Sequence, residues 1–292
     1  MSLESLPRLV LGHNQFFGVD HLSAQRGSQR AAYFSNNENV LEIVKFAHAQ
    51  GAGGLMLSTH PRSVDICDAL SRDSELSESL QIFPLLPYAQ KYVTKANEVG
   101  MVRAVTGTFA NSSLLEKLAL GGDFFRILIR RNPIDMVRSL IRLELGMFRK
   151  LNTPVVFLHD AIVDLLVALS MPQVFEVFAT TLRKHVGARV GIATKNLPFV
   201  ASRFSEWGME IPVILTHVNK VGFHVNPSVA TQEAILMKPG LEVMAMGALA
   251  SGYLIPSEAA EYVRRFPAVK SVVVGASSKE HISETASAFL KP

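Results

Sequence analysis

Short apolar runs alternate with longer amphipathic stretches along this chain. The runs are RLVLG (8–12), GGLMLS (53–58), QIFPLLP (81–87), TPVVFL (153–158), RVGIA (189–193), IPVILT (211–216), LEVMAMG (241–247) and KSVVVG (270–275). Most are continuously apolar, which is typical of parallel strands that are covered on their outer face. The stretches 38–50, 173–186 and 228–237 have helical periodicity instead. The alternation predicts an α/β protein with a (β/α)₈ TIM barrel, and a doubly wound open sheet is the alternative.

The connection between the third and fourth runs is longer than a plain barrel requires. Ser113-Leu114-Leu115-Glu116 has the form of a capping box, Gly121-Gly122 indicates a helix end, and residues 134–151 predict a second helix. We therefore expect one domain over 1–292 with a helical insert at 89–152. The second half of the insert is basic, either as a solvated face or as a surface for an anionic partner or another subunit. Its basic residues are Arg126, Arg130, Arg131, Arg138, Arg142, Arg149 and Lys150.

Composition narrows the class of protein. Of the 292 residues 48% are hydrophobic and 18% charged, which is a well-buried globular composition. The net charge of +4 suits a small anionic ligand, and it is too diffuse to indicate nucleic acid. Cys67 is the only cysteine, so no intrachain disulfide forms and a reducing compartment is expected. Without a secretory pattern or a membrane-length apolar run, we expect a soluble cytoplasmic protein, and a homo-oligomer remains open.

Candidate chemistry gathers where the predicted strands end, which is where TIM barrels carry their active sites. Four of the nine histidines fall there, and histidine suits metal ligation, proton transfer or oxyanion stabilisation. Any one of them could instead cap a strand. Lysines at such ends bind carboxylate or phosphate, or attack a carbonyl, or are simply exposed. The catalytic candidates are His60, Tyr88, His159, Asp160, Lys195 and Lys220, and the candidate metal ligands are His13, His60 and His217.

The last apolar run leads into VVVGASSKEHISE. Ser277 and Glu280 have capping-box spacing, with Ser277 as the cap, and Gly275 provides a hinge from strand to helix. A helix N-terminus with Lys279 beside it is also a competent phosphate site. The chain contains no G-x-S-x-G, G-x-G-x-x-G or Walker pattern, so serine hydrolases and the common nucleotide folds have no support.

Several of these segments together resemble the aldo-keto reductase family outside residues 89–152. They are RLVLGHNQFFG, FLHD, IATKNL, HVNKVGFHVNP, MGALASGYL and VVVGASSKEHISE. The resemblance implies a TIM barrel that binds NADP and places His159 at the family's catalytic histidine. It also implies cofactor-binding roles for Asn196, Asn219, Gly275, Ser277, Ser278 and Lys279.

The chain departs from the family at its other catalytic positions. LSTHPRS after the second strand contains neither the aspartate nor the tyrosine of the family, and no lysine follows the third strand before Lys91. Lys195 and Lys220 stand where the family has a serine and a glutamine beside the nicotinamide. Two ammonium groups suit an anionic substrate better than a cationic nicotinamide.

Three functions follow from these departures. The leading prediction is a non-redox enzyme on a small anionic or carbonyl substrate. Lys195 and Lys220 would bind the anion or form a Schiff base, and His159 with His60 or Asp160 would exchange protons, with or without a divalent metal. The first alternative is an NADP-linked oxidoreductase with His60 or Tyr88 as proton donor. The second is a non-catalytic binding protein on a decayed barrel.

Overall fold

The computed structural model describes residues 5–19, 23–87 and 133–291, which form a closed barrel of eight parallel strands in chain order. The strands are β1 (Leu9–Leu11), β2 (Gly54–Ser58), β3 (Gln81–Leu86), β4 (Val155–Leu158), β5 (Arg189–Thr194), β6 (Val213–His217), β7 (Val243–Met246) and β8 (Val269–Val274). β1 pairs with both β2 and β8, which closes the barrel. The predicted TIM barrel is confirmed, and the open sheet is wrong.

Helices cover the outside of the barrel. Those among the described residues are α1 (Ala24–Tyr33), α2 (Asn37–Ala49), α3 (Ser63–Arg72), α4 (Ser74–Ser79), α5 (Pro133–Leu145), α6 (Asp160–Ala168), α7 (Pro172–His185), α8 (Leu197–Glu206), α9 (Val229–Leu236), α10 (Pro256–Arg264) and α11 (Lys279–Leu290). Short 3₁₀ turns lie at Asn14–Phe17, Gly146–Phe148 and Ala250–Gly252. Within the described ranges, no helix has both the length and the apolar character needed to cross a membrane.

The interior of the barrel is filled by side chains. Alternate strand residues form one buried cluster inside the barrel: Val10, Met56, Phe83, Val155, Phe157, Ala193, Val213, Leu215, Met244 and Val273. Two glycines make room for its largest members, since a Cβ on Gly54 would lie 2.6 Å from the Phe83 ring and one on Gly191 would lie 2.5 Å from the Phe157 ring. Because this interior is packed, a ligand has room only at an end of the barrel.

The inward alternation continues to the mouth, meaning the rim formed by the C-terminal ends of the strands. Two residues beyond an inward position the chain points inward again. Met56 is thus followed by Ser58, Phe157 by His159, Ala193 by Lys195 and Leu215 by His217. The alternation therefore directs four polar side chains towards the mouth.

Most of the predicted insert lies outside the described residues. This applies to the Ser113–Glu116 capping box, to Gly121-Gly122 and to three of the arginines, Arg126, Arg130 and Arg131. The helix predicted over 134–151 begins where expected but ends at Leu145, because a 3₁₀ turn starts at Gly146. Arg138 of this helix pairs with Asp135 at 2.9 Å. α5 packs against α7 and β3 on the outside of the barrel.

Candidate active site at the barrel mouth

His159, Asp160 and Lys195 form one connected array at the ends of β4 and β5. β4 ends at Leu158, and the backbone N–H of His159 donates to Leu86 O at 2.6 Å. Asp160 is the first residue of α6, so it has already left the strand. Asp160 Oδ1 lies 2.7 Å from His159 Nδ1, and its Oδ2 lies 3.4 Å from Lys195 Nζ. Neighbours that would point apart within a strand are therefore in contact.

The hydrogen bonds select one arrangement of the His159 ring. Ala161 N lies 2.8 Å from Asp160 Oδ1 and 3.3 Å from His159 Nδ1. A carboxylate at 2.7 Å is the stronger acceptor for a proton on Nδ1, so Nδ1–H donates to Asp160 and Ala161 N–H also donates to Asp160. This leaves Nε2 of His159 as the ring nitrogen that is available to a ligand.

The charge of Asp160 is stabilised by its neighbours. Burial opposes ionisation, but the hydrogen bond and charge of His159, then Lys195 and the Ala161 N–H, hold the pKa of Asp160 well below its usual range. The carboxylate is therefore ionised across the physiological range and orients the ring of His159.

Asp164, one turn further along α6, anchors the end of β5. It accepts hydrogen bonds from the hydroxyl of Thr194 and from the backbone N–H of Lys195, the latter at 3.2 Å. Burial raises the pKa of Asp164, and the charge of Asp160 adds to this effect. Asn196 N donates in turn to Thr194 Oγ1 at 2.9 Å. The network fixes the backbone from which Lys195 reaches Asp160.

His13 and His60 lie on the opposite side of the mouth, on either side of Phe17. The His60 and Phe17 rings stack at 4.3 Å, and the centroids of His13 and Phe17 are 5.4 Å apart. Burial is the main cause that lowers the pKa of His13 to about 4, opposed by the hydrogen bond to Met56 O and assisted by the charges of His159 and His60. His159 and His60 affect the pKa of His13 because the three side chains lie near one another at the mouth.

Both of these imidazoles are neutral at pH 7. His13 Nδ1 lies 3.1 Å from Met56 O, so it carries the ring proton and donates it to that carbonyl. His60 Nδ1 accepts from Arg62 N at 3.2 Å, so the proton of a neutral ring is on Nε2. Burial, followed by the charge of Arg62, lowers the pKa of His60. His60 is therefore suited to donate a hydrogen bond, and a poor source of a proton.

The side chain of Arg62 fixes this edge of the mouth. Its guanidinium donates to Phe16 O at 2.9 Å, to Phe34 O, and weakly to Asn37. These bonds join the loop after β2 to the 3₁₀ turn that carries Phe17.

The loop after β6 keeps its candidate residues engaged with the protein. Asn219 Nδ2 donates to Phe223 O at 2.9 Å and to Gly247 O at 3.3 Å, and its Oδ1 accepts from Phe223 N at 2.8 Å. Lys220 Nζ lies 3.2 Å from Glu258 of α10. The His217 ring stacks on His224 at 5.0 Å. Asn219 thus shapes the loop, and the charge of Lys220 is offset.

The segment after β8 differs from its prediction by one residue. The N-cap of α11 is Ser278, whose hydroxyl accepts from His281 N at 3.3 Å, so the predicted cap at Ser277 is wrong. Capping requires extended backbone at the residue before the first helical turn, and Ser278 has φ −135° and ψ 155°. Gly275 is exposed, and Lys279 forms an ion pair with Glu42. Asn196 likewise caps α8, since its Oδ1 accepts from Phe199 N at 3.2 Å.

Two predicted groups remain without a structural test. Tyr88 lies outside the described residues. For the metal, residues 5–19, 23–87 and 133–291 contain no cluster of three or more His, Cys, Asp or Glu side chains arranged to hold an ion. A site on His13, His60 and His217 therefore stays a prediction.

Solved structures with the same architecture identify the fold. The chain superposes on a protein from Pseudomonas aeruginosa described as a candidate aldo-keto reductase, with a TM-score of 0.62, 15% identity and coverage of 99% of this chain and 92% of that one. The chain folds as an aldo-keto-reductase-like barrel. A thermostable aldo-keto reductase in complex with the inhibitor epalrestat matches 100% of this chain and 92% of its own, with a TM-score of 0.58 and 11% identity.

Another such barrel was solved with its cofactor. An aldo-keto reductase from Bombyx mori in complex with NADP matches 98% of this chain and 85% of its own, with a TM-score of 0.55 and 11% identity. No family model and no curated protein matches the chain by sequence. The aldo-keto-reductase-like barrel is therefore shared at the level of fold, and its chemistry must be argued from the mouth.

Sequence reasoning missed three residues of this mouth. Asp164 lies inside a helix, four residues after Asp160, and its spacing could have placed both carboxylates on one face of α6. Phe17 and Arg62 act through ring stacking and backbone carbonyls, which leave no motif in the sequence.

Proposed function

We propose that this protein is an enzyme that reduces a small carbonyl compound, with His159 delivering the proton and NADPH as hydride source. The observation that carries the proposal is the His159–Asp160–Lys195 array at the mouth. The fold supports the choice of reaction, because the solved barrels that it resembles are described as aldo-keto reductases.

The chain's own residues divide the work as follows. His159 Nε2 holds a proton for the carbonyl oxygen of the substrate. This oxygen gains negative charge as the C=O double bond is reduced to a single bond. Asp160 accepts a hydrogen bond from the Nδ1–H of His159 and thereby orients the ring. Lys195 keeps Asp160 ionised and places a positive charge near the developing negative one. His60 adds a neutral hydrogen-bond donor from the far side.

The mouth offers groups that fit the cofactor. Gln15 Oε1 is buried and has no hydrogen-bond partner among the described residues, so it is an acceptor available to an amide. Gly275 is exposed, and a Cβ at this position would lie 3.6 Å from Gln15 Nε2. Because glycine has no Cβ, a ligand can approach the backbone of Gly275 next to the Gln15 side chain. Ser277 and Lys279 follow at the N-terminus of α11, where a phosphate is favoured. When bound, NADPH supplies the hydride.

The ion pairs also weaken the objection to this cofactor. Two unpaired ammonium groups would oppose a cationic nicotinamide, but Lys195 lies 3.4 Å from Asp160 and Lys220 lies 3.2 Å from Glu258. Each positive charge is therefore balanced by a carboxylate.

A second candidate is a non-redox reaction in which the same array removes a proton next to the carbonyl. The observation that favours it is the N-terminus of α11. Ser278 already caps His281 N, the Glu280 carboxylate is held there by its own N–H and by Ser278, and Lys279 is paired with Glu42. These contacts compete with a phosphate.

Cofactor titration and a carbonyl panel distinguish the two. We expect NADPH to bind below the millimolar range, and its absorbance to fall when small aldehydes and ketones are added. Asp160→Asn should lower kcat about a hundredfold with little change in KM, because the ring of His159 loses its charged partner. Asp135→Asn, which removes an ion-paired carboxylate from α5, is the matched control. No NADPH binding, together with deuterium exchange next to a carbonyl in D₂O, would replace the proposal with the second candidate.

A further inference from the structure

An open cleft adjoins the His159–Asp160–Lys195 array. It has a volume of about 420 Å³ and is lined by Asp164, Lys195, Asn196, Phe199, Asn226 and Pro227. The loop after β5 and the loop after β6 form its walls, and Asn226 N donates to Lys195 O at 3.1 Å, which ties the two loops together. Lys195 belongs to both the cleft and the array, so the cleft adjoins the array at this residue.

Among the residues that the structure describes, the charged groups lining or adjoining the cleft are two carboxylates and one ammonium group, which leaves it negative. Asp160 and Asp164 are four residues apart on α6, so their carboxylates share one face of the helix, and the ammonium group is that of Lys195. At Asp164 the charge of Asp160 acts more strongly than that of Lys195. The second lysine near the mouth, Lys220, is paired with Glu258. A cation entering the cleft would therefore be attracted, and an anion repelled.

The remaining lining suits an organic cation. Phe199 is 42% exposed and, like Asp164, lines the cleft. An ammonium group is attracted to the face of such a ring as well as to a carboxylate. Asn226, exposed at the rim, adds an amide that both donates and accepts hydrogen bonds.

We propose that this cleft binds the ammonium end of an amino-carbonyl substrate, between the Asp164 carboxylate and the Phe199 ring, with the carbonyl towards His159. The inference rests on the proposed function for its reaction and adds the substrate class. It also reverses the anionic substrate predicted from Lys195 and Lys220, because that prediction assumed lysines without carboxylate partners.

Three ketones of similar size separate the charge classes. Aminoacetone carries an ammonium group, hydroxyacetone is neutral, and pyruvate carries a carboxylate. We expect kcat/KM with NADPH to be at least about tenfold higher for aminoacetone than for hydroxyacetone, because the ammonium group gains one partly screened ion pair. For pyruvate, kcat/KM should be lower than for hydroxyacetone. Calorimetric titration without cofactor should show the same order of affinity.

Two variants locate the preference in the cleft. Asp164→Asn removes the negative charge and should reduce the ratio of kcat/KM for aminoacetone to kcat/KM for hydroxyacetone about tenfold. The ratio is the readout because the hydrogen bonds of Asp164 to Thr194 and Lys195 also affect turnover of both ketones. Phe199→Leu changes an exposed ring without a buried role and should weaken aminoacetone binding about threefold, as an exposed cation–π contact predicts. Asp135→Asn is the control for loss of a carboxylate elsewhere. If Asp164→Asn fails to fold, the Phe199→Leu binding measurement still decides.

Each outcome addresses one of the two proposals. Equal turnover of aminoacetone and hydroxyacetone, or a preference for pyruvate, would overturn the ammonium site and leave the carbonyl reductase intact. If none of the ketones is reduced but aminoacetone binds in a way that depends on Phe199 and Asp164, the ammonium site is supported and the proposed reductase activity is overturned. Aminoacetone binding that neither variant changes would place the ammonium group elsewhere and refute the inference.

Discussion

Burial of His13 should make the stability of the barrel sensitive to mild acid. The ring is folded in its neutral form with a pKa of about 4, whereas in the unfolded chain its value is 6.5. The unfolded chain therefore takes up a proton as the pH falls through 6.5, and the folded protein does not until about 4. Stability from this residue is fully present above 6.5 and declines towards the folded pKa. The difference is worth about 2 kcal/mol at about pH 5 and about 3 kcal/mol at the lower limit.

The substitution His13→Gln removes this titration and retains an amide donor for Met56 O. Urea unfolding at a series of pH values between about 7.5 and 5 gives the free energy of unfolding for both proteins. We expect the native protein to lose about 2 kcal/mol more than the variant over this interval. Carboxylates titrate in the native protein and in the variant alike, so the difference between their stability curves reports the imidazole of His13. His281→Gln, which removes an exposed imidazole from α11, is the control. Parallel stability curves for the native protein and His13→Gln would refute the reasoning.

Two further predictions concern packing and capping. Gly191→Ala places a Cβ 2.5 Å from the Phe157 ring inside the barrel, so we expect a loss of about 1–3 kcal/mol in urea unfolding, and an unchanged stability would contradict the packed interior. Ser278→Ala removes the hydrogen bond to the first turn of α11 and should cost about 1 kcal/mol. Ser277→Ala should change stability by less than about 0.5 kcal/mol, and a larger loss there than at Ser278 would return the cap to Ser277.

The order of strands and helices followed from local pattern because each strand of a covered parallel barrel is apolar on both faces. Boundaries were less certain, since an apolar run does not show where pairing begins. The run from Ile211 thus precedes a strand that starts at Val213, and the helix predicted to Leu151 ends at Leu145 because Gly146 breaks it. Periodicity also could not tell which of two adjacent serines caps α11.

The candidate site followed from the rule that barrel chemistry lies at strand ends, which brought His159, Asp160 and Lys195 into one set. The same rule could not assign partners. Whether Asp160 meets His159 depends on β4 ending at Leu158, and whether Lys195 is paired depends on a carboxylate from α6. Such contacts join residues from different elements, so no local spacing records them.

The sequence by itself determined the alternation of strands and helices, the inward direction of alternate residues, and the concentration of histidine and lysine at the mouth. These features depend on neighbours along the chain. Only the tertiary structure decided which side chains are charged, since pKa values depend on burial and on partners brought from other elements. Burial keeps His13 neutral, His159 and Lys195 keep Asp160 ionised, and carboxylates from α6 and α10 pair with Lys195 and Lys220.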